Sequence, residues 1–286
     1  MNAPVSLDEI RRQIEAASEG HRHGQRGLFA LADLPQRPSV ESIAVNPGWP
    51  ALDDIWKLYP GQFTIVTGTP NHGKSILVLN TICNLAKVHG WASYLYVPEN
   101  EAFLRHKMRR IYGRSDKEFA DFAKNYCFIQ SAEIQSYNDE PKNLGWVLDR
   151  AIVGIKQDGV RLVVIDPWNE LEHAKPRDQA MTDYVRDCLM YLKAFCRAHH
   201  VAMIMVAHPT KAHASDNRPP TLYDIEQSAA WFNKSDNGLI VSRDAETSQM
   251  KVISAKVRER GAGRRGSCLL MVNDQEQVTD LSGLAL

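Results

Sequence analysis

Eight consecutive residues, Gly68-Thr69-Pro70-Asn71-His72-Gly73-Lys74-Ser75, constrain this chain more than any other stretch. An apolar run, Phe63-Thr64-Ile65-Val66-Thr67, leads into the first glycine, and Ile76, Leu77, Leu79, Ile82, Cys83, Leu85 and Ala86 follow the serine at helical spacing. Strand, glycine-rich turn and helix in that order make a cradle for phosphate. The glycines let the backbone curl until successive N–H groups point at one anion, and the helix N-terminus adds its partial positive charge. Gly68 through Ser75, with Ile76 behind them, are therefore the expected nucleotide-binding residues. Lys74 is placed to reach the β and γ oxygens of a triphosphate and Ser75 to offer a hydroxyl to Mg²⁺. ATP or GTP is the implied ligand.

The rest of the chain alternates in the same way. Residues 92–97, 126–130, 161–166 and 201–207 read as strands, and Leu162-Val163-Val164-Ile165 is continuously apolar, as a parallel strand buried on both faces must be. Apolar residues recur at the helix period over 103–112, 142–158 and 181–195. In the last third, a short helical segment near 225–232 precedes three closely spaced strands (239–242, 250–256, 268–272), the pattern of hairpins at a sheet edge. The spacing predicts an α/β fold, an open and mostly parallel sheet flanked by helices, with antiparallel C-terminal strands. With 286 residues and 44% hydrophobic content, the chain can bury one such core. The expected division is an N-terminal helix and extended arm over 1–45 and a single core over 46–286. In the arm, Ser6 and Glu9 read as a helix cap, and Leu7, Ile10, Ile14 and Ala17 keep helical spacing through residue 18. From there to residue 50 the arm is rich in proline and glycine.

Composition narrows the setting. Thirty-four basic and 34 acidic residues balance, so contact with nucleic acid has to be local rather than carried by overall charge. Five cysteines without a Cys-x-x-Cys pair argue for reduced thiols and against a zinc site. No apolar run approaches membrane-spanning length. A soluble, cytoplasmic protein is the expectation, including one encoded by a phage or plasmid and acting in the host cytoplasm.

In open parallel sheets ligands gather beyond the carboxyl ends of the strands, which singles out the polar residues found there. Asp166 closes a buried strand and is placed to hold Mg²⁺ directly or through water; the competing reading is a helix cap or surface aspartate. Glu99 follows Val97-Pro98, where a carboxylate can orient and deprotonate an attacking water. It can equally be a first-turn acid of the next helix, with Glu101 as the alternative acid. His208 ends the strand over 201–207 and can bond a γ-phosphate or be a satisfied structural histidine. Lys256 and Arg258 alternate onto one face of a strand, where two cations repel unless an anion lies opposite. A neighbouring subunit's triphosphate would supply that anion, and a solvated basic hairpin is the other reading.

Taken together, the motifs resemble a known family. Trp49-Pro50-Ala51-Leu52-Asp53, Pro60-Gly61-Gln62 before the loop, Asn84-Leu85-Ala86, His89-Gly90-Trp91, Pro98-Glu99-Asn100, Ile165-Asp166-Pro167-Trp168-Asn169-Glu170-Leu171, Ala207-His208-Pro209, Lys211 and Ala255-Lys256 with Arg258 are similar to the helicase domain of the Twinkle and phage primase-helicase group. The resemblance covers about residues 45–275 and extends, more distantly, to the DnaB replicative helicases. It implies a RecA-like P-loop NTPase fold, ATP with Mg²⁺, a hexameric ring with nucleotide at each subunit interface, and 5′ to 3′ travel on single-stranded DNA during replication. By the same resemblance Lys74 and Ser75 are the loop residues, Glu99 the water-activating glutamate, Asp166 the Mg²⁺ ligand and His208 the γ-phosphate sensor. Arg258 matches an arginine finger acting in trans, with Lys256 beside it. Lys211 and Arg218 match a channel loop facing DNA phosphates, while Trp168 and Trp231 read as packed rather than stacked on bases.

Two departures stand out. The family's primase-like region is replaced before the core by the arm alone, which points to a separate primase or loader as partner. Glu226-Gln227-Ser228-Ala229 stands where the family often has Gly-Ser-Gly. The helix over 6–18 is expected to take the place of a linker helix docking on the adjacent subunit. The alternatives to a helicase are a RecA-like ATPase that remodels or loads proteins on DNA without unwinding it, and a nucleotide-gated DNA-binding ring.

Overall fold

The computed structural model describes residues 31–33, 36–98, 100–131, 141–210, 220–225, 229–244 and 246–280. The expected helix over 6–18 and the residues Glu99, Lys211, Arg218 and Glu226 to Ser228 lie outside them.

Nine strands form one sheet. They are β1 (Phe63–Thr67), β2 (Ala92–Val97), β3 (Cys127–Ser131), β4 (Val160–Ile165), β5 (Ala202–Val206), β6 (Asn237–Arg243), β7 (Gln249–Val257), β8 (Gly266–Val272) and β9 (Val278–Asp280), in the order β3-β2-β4-β5-β1-β6-β7-β8-β9. The pairs from β3 to β6 are all parallel, and those from β6 to β9 antiparallel. Helices α1 (Val40–Ile43) and α2 (Pro50–Asp53) precede β1. Six more follow it: α3 (Lys74–His89), α4 (Glu101–Tyr112), α5 (Asp116–Asn125), α6 (Leu144–Gln157), α7 (Met181–His199) and α8 (Ala230–Lys234).

The helices cover both faces because the central strands are apolar on both. Leu95 and Val97 of β2 pack with α3, α4 and α5, whereas Tyr94 and Tyr96 pack with α6 and α7. This is the period-two alternation of a strand with no wet side.

Three elements differ from the sequence expectation. β6 is not part of an edge hairpin: it lies parallel to β1 (Thr64 opposite Asn237, Thr67 opposite Ile240), so the antiparallel tail starts one strand later. Its first five residues are buried between two neighbours, a placement that its local pattern does not encode. Helix α5 carries a complete capping box in which Ser115 and Glu118 satisfy each other's backbone N–H groups. β9, three residues long, is too short to show a period.

The tail is tied to the loop helix by Asn80. Its side chain, 5% exposed, donates to the carbonyls of Ile76 and Glu276 at 2.8 and 2.9 Å and accepts from Val278 N–H at 3.0 Å. Trp49 Nε1 donates to Val278 O at 2.8 Å, holding the α2 segment to the same strand. Asn80→Ala would leave buried backbone groups unpaired, and the expected loss is about 2 kcal/mol of unfolding free energy. Urea denaturation followed by circular dichroism checks this, with the midpoint moving and the slope unchanged.

Candidate nucleotide site

The loop after β1 is shaped by close backbone approach. Gly68, at φ +151°, leaves no room for a side chain, since a Cβ there would lie 2.1 Å from Val241 O on β6. Gly73 caps α3 in the left-handed region at φ +89°, and Asn71 also has positive φ at 63°. Lys74 Nζ is folded back along this loop, donating to Gly68 O at 2.8 Å and Thr69 O at 3.0 Å. Burial pushes its ammonium down to about 8, an effect that the Asp166 carboxylate partly opposes. An anion placed in the loop would favour the charged form and draw Nζ from the carbonyls.

Three strand ends converge on that loop. Thr67 Oγ1 donates to Ala207 O at 2.9 Å, holding the end of β1 against the end of β5. Asp166 N–H donates to Tyr96 O at 3.0 Å, registering β4 with β2. As a result Ser75, Asp166 and His208 line one cavity of about 100 Å³, walled by Val97, Leu104 and Pro167. The His208 backbone N–H donates to Asn169 Oδ1 at 3.0 Å, while its ring Nδ1 is buried without a hydrogen-bond partner. Burial, reinforced by the positive charge of Lys74, lowers the His208 pKa and keeps the ring neutral at pH 7. The Ser75 hydroxyl and the Asp166 carboxylate, 6% exposed, are hard oxygen donors of the kind that suits Mg²⁺. Among the described residues no group of three His, Cys, Asp or Glu side chains gathers to cage a metal. An ion held by one or two protein oxygens plus phosphate and water fits that arrangement.

Lys256 and Arg258 sit at the other end of the sheet. Val257 pairs with Asn237, which pairs with Thr64 near the start of β1. Four residues of strand separate that level from Gly68, roughly 13 Å at about 3.3 Å per residue. Within one chain these cations therefore face away from the phosphate loop. Lys256 Nζ bonds Phe232 O, reaches Asn233 O at 3.4 Å and lies 4.9 Å from the Phe232 ring centroid. Burial, with Arg258 and Lys193 as neighbouring cations, pushes it down to about 8. Arg258 Nε pairs with Asp236 Oδ1 at 3.0 Å. An anion of the same chain, Asp236, thus lies beside Arg258, where the sequence argument offered only a neighbouring subunit's triphosphate.

Other expected residues are placed as follows. Glu101 opens α4 after the Asn100 cap, is exposed, and lines a groove with Arg105, Phe119 and Ile129 instead of the phosphate cavity. Trp168 and Trp231 are 1% and 0% exposed and pack edge to face on each other, as read from the sequence. Four residues were missed. Asn169 stood only as part of the run 165–171 with no role of its own, Lys193 carried no signal beyond polarity, and Asp236 hides in an ordinary Ser-Asp-Asn turn. Arg243 ends β6 beside the loop, with its Cδ 3.7 Å from the position of a Cβ on Gly73 and its buried Nε unpaired. A cation at the end of a strand that neighbours β1 was the signal available for it.

Residues 31–214 match the family described as an AAA domain. The chain belongs to the AAA domain family. Over 285 residues this AAA domain chain is 32% identical to the Twinkle homolog protein, chloroplastic/mitochondrial, of Arabidopsis thaliana, across 90% of its own length and 40% of that protein. It is 22% identical to the DNA repair protein RadA of Salmonella typhimurium, across 66% of its length and 36% of RadA. It thus spans less than half of either relative. A DnaB-like replicative helicase, solved in a study of its interactions with primase, superposes with a TM-score of 0.66 at 17% identity, covering 96% of this chain and 75% of that one. A second solved structure, an ATPase domain, gives a TM-score of 0.64 at 18% identity, covering 98% of this chain and 100% of that one. The fold is the RecA-like one expected from the sequence. Among the described residues no helix is long and apolar enough to cross a membrane.

The low Lys74 pKa has a measurable consequence. A bound polyphosphate stabilises the ammonium, so above about pH 8 binding must also take up a proton. Affinity for a fluorescent ATP analogue should be flat from about pH 6.5 to 7.5 and then fall by up to about tenfold per pH unit, as read by titration at constant ionic strength.

Proposed function

We propose that residues 46–286 are the ATP-hydrolysing motor of a replicative DNA helicase, with hydrolysis at subunit interfaces driving translocation on single-stranded DNA. The observation that carries this reading is the separation of charges: the phosphate loop lies at one end of the sheet and Arg258 at the other, bonded at its backbone N–H to Asp236 O at 3.0 Å. A cation so far from its own phosphate loop supports action on a nucleotide held by a neighbouring copy. Sequence similarity to a Twinkle homolog over 90% of the chain supports the same family of activities.

In this reading Gly68, Thr69, Pro70, Asn71, His72 and Gly73 form the backbone cradle around the phosphates, and Lys74 leaves its two carbonyls to hold the β and γ oxygens. Ser75 and Asp166 would hold Mg²⁺, which would supply charge neutralisation to the phosphates. Glu99 orients the attacking water, and neutral His208 bonds the γ-phosphate and transmits its loss through the residues that follow it to Lys211 and Arg218, which face DNA. Arg258, with Lys256 beside it, stabilises the charge that develops on the γ-phosphoryl group of the adjacent subunit. A hexameric ring, docked partly through residues 1–45 and served by a separate primase or loader, completes the proposal.

A second reading draws on the similarity to a DNA repair protein, RadA: a RecA-like ATPase that remodels or loads proteins on DNA without unwinding it. ATP hydrolysis with and without single-stranded DNA, fork unwinding, and mass measurement in nucleotide separate the two. DNA-stimulated hydrolysis without strand displacement would select the second. Lys74→Ala should abolish turnover in either. Arg258→Ala should lower kcat by about 10³ or more while sparing nucleotide binding. Mixed rings with the unsubstituted chain should lose activity out of proportion to dose, and full turnover in the Arg258→Ala protein would remove the trans assignment.

A further inference from the structure

We propose that Asp236 is a positioning residue that aims Arg258 across the subunit boundary; this rests on the trans reading of Arg258 given above. The Asp236 side chain is 2% exposed and every oxygen of the residue is engaged. Oδ1 accepts from Lys193 Nζ at 2.5 Å and pairs with Arg258 Nε at 3.0 Å, and Oδ2 accepts from Phe63 N–H at 3.1 Å. Its backbone N–H donates to Phe63 O at 2.8 Å, and its carbonyl accepts from Arg258 N–H at 3.0 Å. Asp236 thus grips Arg258 at both main chain and side chain while being fixed to the first residue of β1.

The grip has a direction. Arg258 Nη2 faces the carbonyls of Asn233 and Ser235, each at 3.4 Å, so two of the three guanidinium nitrogens point into this chain. Nη1 carries none of these bonds, and the side chain as a whole is 42% exposed. A guanidinium is planar, and fixing Nε and Nη2 fixes where Nη1 points. The pairing does not neutralise the finger either. Lys193 and Arg258 share one carboxylate, and Lys256 lies close enough for their charges to depress its pKa, so the cluster keeps a net positive charge facing outward. Asp236 removes rotamer freedom from Arg258 while leaving charge for an incoming phosphate oxygen.

The test is Asp236→Asn in the full chain, a change that keeps the shape and an acceptor for Phe63 N–H. ATP hydrolysis with single-stranded DNA should show kcat reduced roughly tenfold or more with KM unchanged, and the affinity for a fluorescent ATP analogue should be unaltered. Arg258→Ala and the double variant Asp236→Asn/Arg258→Ala should turn over at the same rate, since Asp236 acts only through Arg258. Unreduced kcat in Asp236→Asn, or a double variant slower than Arg258→Ala by the full Asp236→Asn factor, would overturn the proposal. Full turnover in Arg258→Ala defeats the trans reading itself and is recognisable as such. Should Asp236→Asn lose its cooperative thermal transition, Asp236→Glu keeps the charge and displaces it by one methylene. It is expected to lower kcat with KM preserved, and unreduced kcat there would overturn the assignment.

Discussion

The parallel hydrogen bonding of β1 between β5 and β6 is the constraint on which the site depends. A strand paired on both edges and packed on both faces has no freedom to shift, so the loop leaving its carboxyl end inherits a fixed origin. The neighbouring strands run the same way, and their polar ends arrive at the same level. Thr67 is bonded to Ala207, and the cavity beyond is lined by Ser75, Asp166 and His208 from three separate segments. None of these side chains needs the others in order to fold. Sheet direction alone brings them together, and for that reason ligands of open α/β sheets lie beyond the carboxyl edge.

The same register explains what was legible in the sequence. β1, β2, β4 and β5 are runs of five or six mostly buried residues, and such runs betray themselves without tertiary information. The loop is contiguous, so its glycines, Lys74 and Ser75 could be read directly. Asp166 and His208 could be inferred because a polar residue ending a buried run has few reasons to be there. Pairing direction is another matter: β6 runs parallel to β1 on one edge and antiparallel to β7 on the other, a difference set by which backbone is available alongside and not by its own residues. Asp236 was invisible for a related reason. Its burial depends on β1, α7 and β7 meeting around it, from residues far apart in sequence. The capping box of α5, by contrast, was fully encoded in Ser115 and Glu118 and was simply passed over.

Charge placement links the two ends of the sheet. Lys74 and Lys256 are both pushed down to about 8 by burial, and in neither case does the neighbouring carboxylate compensate fully. A Lys depressed in this way marks a place where the fold has taken a cation from water without a complete counter-charge, which is unfavourable until an anion arrives. The two lysines are held apart along the strand direction: Lys256 lies opposite Gly238 and so level with Ile65, three residues or roughly 10 Å before Gly68, to which Lys74 is bonded. They therefore cannot share one small anion within a chain. On the proposed reading, a triphosphate in the loop of one copy would present its γ-phosphoryl group to the strand end of the next. The second cation is then needed only as charge develops during hydrolysis, so Asp236 bears on turnover and not on affinity, by holding Arg258 in place before the partner arrives.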